Sequence, residues 1–249
     1  MTMDRLSKNK LSKSIAGPAL WAVALLLFPA VQALARGPAV EDPVIEEPAA
    51  EDPAVEVPAV EIPGVQLGQR LPEAALILDL VDPDGERRGV ADLVGEQGTL
   101  LIFTSNTCPY VTDWLDRFPR LATFAREHDM AFLLVNANAR KRKTDDSPEA
   151  MAALAEEHGF EFPYWIDEAS ALADAVGAQR TPEVFLFDAA LELVYRGAID
   201  DHSGPFDQVG QHWALDALRQ MVDEVSITTP STAALGCKVQ RPRKRRTKG

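Results

Sequence analysis

Only two cysteines occur in 249 residues, and one of them, Cys108, sits where a thiol would react. The apolar run Thr99–Thr104 reads as a strand, Ser105-Asn106-Thr107 as a polar turn, and Pro109 opens a helical stretch directly after the cysteine. Proline is tolerated at a first helical position because its missing N–H would be unpaired there anyway. A thiol at that seam faces free backbone N–H groups and the positive end of the helix dipole, which favour the thiolate, the nucleophilic form. The same position also suits a small buried hydrophobe. Helix-end effects supply only about 0.3–1 kcal/mol, less than one pKa unit, so a reactive Cys108 needs a cation nearby. A second punctuation mark is Thr181-Pro182, ahead of the apolar run Glu183–Phe187. A proline there must begin its strand or sit in a bend.

Other chemistries find no support. His128, His158, His202 and His212 lack metal-ligand spacing, and the first two fall at expected helix ends. Asp82-x-Asp84-Gly85 reads as a turn, because the further ligands of a calcium loop are missing. Asp200-Asp201-His202 reads as a solvated loop that could rim the site. There is no nucleotide-binding glycine loop and no nucleophile elbow. No cofactor is implied.

The elements that would position these residues alternate. Strands are expected at Ala75–Val81, Thr99–Thr104, Met130–Asn136, Phe162–Ile166, Glu183–Phe187 and Leu191–Tyr195. Helices are expected at Pro109–His128 (kinked near Pro119), Ser147–His158, Glu168–Val176 and Phe206–Val225, with a helical turn at Val90–Val94. In the last helix, Val209, Trp213, Leu215, Leu218 and Met221 form the expected buried side. Strand–helix alternation followed by two adjacent strands and a helix indicates an α/β domain with a hairpin at one sheet edge. That domain, residues 65–226, is long enough for a core without disulfide support.

The two ends differ from the body. Residues 1–35 resemble an export signal: Arg5, Lys8, Lys10 and Lys13 precede an apolar run, and Ala33-Leu34-Ala35 supplies a small-x-small cleavage site. Left uncleaved, the segment would be a membrane tether. Either outcome places the rest outside the cytoplasm, periplasmic or secreted, where disulfides persist. Residues 36–64 form a spacer with Pro38, Pro43, Pro48, Pro53, Pro58 and Pro63 every fifth position, eight acids and no base after Arg36. Such a sequence favours extended polyproline-type chain, about 3.1 Å per residue. The formal charge is −13; residues 1–35 hold four bases and one acid, so the remainder carries −16. An acidic body argues against nucleic acid as a partner. Residues 227–249 read as a flexible tail with Cys237 and a basic end.

Several segments together resemble the thioredoxin-like superfamily, in its alkyl hydroperoxide reductase/thiol-specific antioxidant (peroxiredoxin-like, redoxin) branch. They are Leu78–Gly85 with Val90-Ala-Asp-Leu, Phe103–Pro109, Asp145–Glu149, Phe162-Pro163-Tyr164 with Asp167, Arg180–Asp188, and Tyr195-Arg196-Gly197. The resemblance covers about residues 71–195, and the Gly236-Cys237 dipeptide extends it loosely. It implies a thioredoxin-like fold, a central mixed sheet flanked by helices, with Pro182 cis and packed beside a redox-active Cys108. It also implies a peroxide or disulfide substrate and an external thiol reductant, the chemistry of an antioxidant oxidoreductase. Two departures stand out. Ser105 replaces the first cysteine of Cys-x-x-Cys, so no dithiol cycle can run within that loop. Ser105 and Cys108 fit the second half of the peroxiredoxin pattern, but Leu101 stands where its proline belongs.

The residues and this resemblance together give the expected roles. Cys108 is the nucleophile, Arg180 its activating cation, and Ser105 offers a hydroxyl to the sulfur or to a bound peroxide. Thr107, Pro109, Thr181 and Pro182 line the substrate groove. Cys237 has three readings: a thiol that resolves oxidised Cys108, a static disulfide partner, or an unrelated tail thiol. A one-cysteine thiol–disulfide exchanger and a non-catalytic binding module are the alternatives to a peroxidase.

Overall fold

The computed structural model describes residues 64–243. The expected export signal, the spacer up to Pro63 and residues 244–249 lie outside them. Among the described residues no helix is long and apolar enough to cross a membrane.

The chain enters through a short helix, α1 (Glu73–Leu76), and a hairpin of β1 (Asp79–Val81) and β2 (Arg87–Gly89). The tight turn between them uses Gly85 in the left-handed region, with its N–H on the Asp82 carbonyl. Then follow α2 (Val90–Leu93), β3 (Thr99–Thr104), α3 (Pro109–Asp113), α4 (Arg117–Glu127) and β4 (Ala131–Asn136). After α5 (Pro148–Glu157) come β5 (Tyr164–Ile166), α6 (Ala171–Val176), β6 (Arg180–Thr181), β7 (Glu183–Phe187) and β8 (Leu193–Gly197). Helix α7 (Trp213–Val222) and a last short strand, β9 (Cys237–Lys238), complete the order.

Seven strands form one mixed sheet in the order β2-β1-β5-β4-β3-β7-β8. Strands β3, β4 and β5 run parallel, β7 is antiparallel to β3, and β8 is antiparallel to β7. Strand β3 lies inside the sheet between β4 and β7 and is buried at every position, as a strand covered on both faces must be. Its side chains alternate. Leu100 and Ile102 join Leu134, Val184, Leu186, Phe118, Leu121 and Leu218 on one face. Leu101 and Phe103 join Leu133, Val135, Phe185, Phe187, Leu172 and Val176 on the other.

Several expectations are corrected. Residues 73–76 are helical, so only the second half of the expected first strand pairs; Ala75 is fully buried on that helix. The long helix breaks at Trp114–Asp116, earlier than Pro119, which sits in the first turn of α4 where no intrahelical N–H is required. In α7 the fully buried positions are Ala214, Ala217 and Leu218, while Trp213, Leu215 and Met221 lie half-buried at the flanks.

The largest departure is the tail. Residues 227–243 run back along the domain instead of leaving it. The Thr232 N–H donates to Arg196 O, its hydroxyl accepts from Ala198 N at 2.9 Å, and β9 pairs antiparallel with β6. Val239 is buried beyond the strand. The pull on this segment is non-local hydrogen bonding to backbone that the sheet leaves unpaired.

Candidate active site

Cys108 caps α3 at its N-terminal end, and Pro109 takes the first helical position. The thiol is 1% exposed and belongs to the core cluster beneath α4 and α7. Its S–H donates to the Thr181 carbonyl at 2.9 Å, and the Cys237 N–H donates to its sulfur at 3.4 Å. The Thr181–Pro182 peptide is cis. Both residues are buried, and the Thr181 carbonyl is in contact with the sulfur.

The second cysteine arrives through β9. Register pairs Thr181 with Cys237 and Arg180 with Lys238, so the tail thiol lies next to the turn thiol. Gly236 makes this approach possible. It has φ +155°, and a Cβ there would overlap the Thr181 carbonyl and crowd Pro182. Burial, the hydrogen bond to Cys108 and the field of Cys108 push the Cys237 thiol up to about 11, against a smaller downward pull from Arg180. At neutral pH Cys237 is therefore protonated. Both cysteines are free.

Arg180 and Ser105 make contacts that the sequence did not indicate. The Arg180 guanidinium donates to Gly236 O at 3.1 Å, clamping the turn that leads into β9, and its charge reaches the Cys237 thiol. The Ser105 hydroxyl, wholly buried, pairs with Thr181 Oγ1 at 3.3 Å rather than with the sulfur. Its contact braces the loop before Pro182. Thr107 and Pro109 remain exposed at the mouth of the site, together with Tyr110.

Three groups of residues escaped the sequence reading. Buried Glu183 accepts the N–H groups of Gln179 and Arg180 at 2.6 and 2.9 Å and pairs with Arg196 at 2.8 Å, fixing the approach to Pro182. Both residues lie in segments that carried the family resemblance, though their pairing across the β7–β8 hairpin was not visible. Asp200 is buried, not solvated: it accepts from Trp114 Nε1 and from Arg117 Nε, the latter at 2.9 Å. Asp146, which the sequence offered as part of a helix start, is wholly buried and receives Asn106 N at 2.7 Å and Thr107 Oγ1 at 3.3 Å. The helix-start reading holds for its neighbour, since Ser147 Oγ accepts from Ala150 N. A pair of asparagines closing a buried strand, Asn136 and Asn138, was the available signal for a buried polar partner such as Asp146.

A helix-capping cysteine against a cis-proline loop, on a central mixed sheet flanked by helices, defines a thioredoxin-like redoxin. Residues 67–196 match the AhpC/TSA family, and the chain belongs to it. Two solved structures are similar over most of their length. An uncharacterized conserved protein from Geobacillus kaustophilus is 28% identical with a TM-score of 0.64, over 72% of this chain and 94% of that one. A hypothetical protein from Sinorhizobium meliloti is 26% identical with the same TM-score, over 72% and 97%. A looser likeness, 18% identical with a TM-score of 0.47 over 65% and 98%, is to the peroxidoxin BcpB from Mycobacterium tuberculosis. No curated protein matches the sequence.

Proposed function

We propose that this redoxin reduces peroxides through Cys108, with Cys237 as the resolving thiol. The observation that carries the reading is the Cys237 N–H aimed at the Cys108 sulfur from 3.4 Å, on a strand registered against Thr181. Cys237, its thiol pushed up to about 11, is the poorer nucleophile at neutral pH, so the first attack is assigned to Cys108. Its sulfur attacks one peroxide oxygen, the O–O bond breaks, and an alcohol or water leaves with a proton while Cys108 becomes a sulfenic acid. Cys237 then attacks that sulfur, a disulfide forms, and water leaves. An external thiol reductant returns both cysteines to thiols by two-step exchange. Since Cys108 is closed over in the reduced state, peroxide entry requires β9 to lift from β6. The sequence of residues 5–35 supports placing this chemistry outside the cytoplasm.

Stopped-flow consumption of hydrogen peroxide by the reduced protein tests the reading. Wild type should turn over with a dithiol reductant and yield a 108–237 bridge by mass spectrometry. Cys108→Ser should abolish consumption, and Cys237→Ser should stall at the sulfenic acid. Peroxide consumption that survives Cys108→Ser sinks the proposal.

One observation favours a second reading. Strand β9 is a cysteine-bearing extended segment added antiparallel to β6 beside Pro182, the arrangement that a cysteine-containing polypeptide substrate would copy. In that case Cys108 attacks a substrate disulfide, releasing one thiolate, and Cys237 cleaves the mixed disulfide to release the other thiol. Faster reaction with a protein disulfide than with peroxide would favour it. Partner binding unchanged in Cys108→Ser, without either reaction, would leave a binding module.

A further inference from the structure

Both cysteine-bearing segments hang from one buried polar cluster. Asp146 Oδ1 accepts from Asn106 N at 2.7 Å and Asn136 Nδ2 at 2.8 Å; Oδ2 accepts from Thr107 Oγ1 at 3.3 Å and Asn138 Nδ2 at 3.2 Å. Asn106 and Thr107 immediately precede Cys108. Asn138 faces the other way as well: its Oδ1 accepts the Gln240 N–H at 2.8 Å, three residues past Cys237. The Gln240 carbonyl in turn accepts Arg140 N at 2.9 Å. Arg142 backs the cluster, donating to Asp146 O at 2.7 Å and Asn136 O at 2.8 Å.

A carboxylate accepts and never donates. Asp146 therefore dictates which end of the Asn138 amide faces inward, and so which end is left for Gln240. We infer that Asp146 and Asn138 are positioning residues that set the Cys237 strand in register with the Cys108 turn through a directional chain of donors and acceptors. The inference rests, for its role in catalysis, on the reading of Cys108 and Cys237 as a reacting pair; the positioning itself does not.

The direction of the chain makes it testable. In Asp146→Asn, the new amide can keep its oxygen toward Asn106 N and Asn136 Nδ2 only by turning its NH2 at Asn138 Nδ2. Two donors then face each other, and flipping Asn138 moves the same conflict to Gln240 N–H. Such an unmet buried donor shifts the strand equilibrium by about tenfold or more. The double swap Asp146→Asn with Asn138→Asp restores every match. The amide at 146 donates to the carboxylate at 138, whose other oxygen accepts Gln240 N–H, and the Thr107 hydroxyl turns to accept. The cluster's charge beside Arg142 is unchanged.

The readout is alkylation of Cys237 by iodoacetamide in the reduced full chain, followed by mass spectrometry, with folding checked by circular dichroism. Asp146→Asn should label at Cys237 about tenfold faster than wild type, and the double swap should return to within about twofold. Asp146→Asn that folds and labels at the wild-type rate overturns the inference, as does a folded double swap that labels no slower than the single variant. Should Asp146→Asn fail to fold, Gln240→Pro decides, read against Gln240→Ala, which also loses the side-chain contact to Lys238 O but keeps the backbone donor. Faster Cys237 labelling in Gln240→Pro supports the chain, and unchanged labelling overturns it. None of these readings uses peroxide, so loss of the peroxidase proposal and loss of this one are separate events.

Discussion

The backbone N–H of Cys237 points at the sulfur of Cys108 from 3.4 Å, while the Cys108 S–H points at the carbonyl of Thr181, the residue paired with Cys237 across β6 and β9. Cys108, the proline loop and the tail thiol thus form one closed set of contacts. Opening any of them disturbs the others.

The Cys237 thiol should titrate high. Its alkylation rate should climb with an apparent pKa near 11, well above the unperturbed value of about 8.5. A folded-state pKa raised above the unfolded one stabilises the fold at pH below the unfolded value. That contribution is lost as pH rises through about 11. Denaturant unfolding from pH 8 to pH 11 should show wild type losing more stability than Cys237→Ala. Equal slopes, or labelling with an ordinary midpoint, would contradict the burial of this thiol.

Gly236→Ala should lift β9. The added Cβ overlaps the Thr181 carbonyl, and the φ of +155° is one that side-chain-bearing residues avoid. Labelling of both Cys108 and Cys237 should accelerate, and formation of the 108–237 disulfide should slow, with little change in the core. Unaltered labelling of Cys108 would show that β9 is not its cover.

Glu183 should matter more than its place outside the thiol chemistry suggests. It holds the backbone N–H groups of Gln179 and Arg180 and neutralises buried Arg196, whose guanidinium also lies over the Phe185 ring. Removing one partner of a buried pair costs about 3–5 kcal/mol. Urea unfolding of Arg196→Met or Glu183→Ala should show a loss of that order. Glu183→Gln keeps an acceptor and should lose less.

Arg117→Met offers a contrast. It strands the buried Asp200 carboxylate, which keeps only the Trp114 indole and the His202 backbone N–H as donors. Stability should fall by about 3–5 kcal/mol. Among the described contacts, no hydrogen bond of this pair reaches β6 or β9, so the rate of Cys237 labelling in the folded protein should stay close to wild type.

The central strands were legible because they are buried on both faces. Thr99–Thr104 and Glu183–Phe187 are built around the apolar runs Leu100–Phe103 and Val184–Phe187, and the structure reproduces both ranges. Cys108 and Thr181-Pro182 were legible for a related reason: each is a local breach of an otherwise regular pattern. The tail was not. Its pairing partner is the two-residue β6, and its anchors, Thr232, Gly236 and Gln240, are polar or small residues whose hydrogen bonds reach far along the chain. Periodicity cannot report such contacts. Asp146 was hidden differently, beside a good helix cap whose signal absorbed it.

The pinning of Thr232 has a consequence for the open form. Its hydroxyl and N–H are tied to Ala198, Tyr195 and Arg196, on the body of the domain. Cys237 lies only five residues further on, so with β9 detached its thiol still stays within about 17 Å of that anchor. A group on so short a leash experiences an effective concentration in the millimolar range or above. On the reading of Cys237 as the resolving thiol, an outside thiol present at lower concentration would lose the race to an oxidised Cys108.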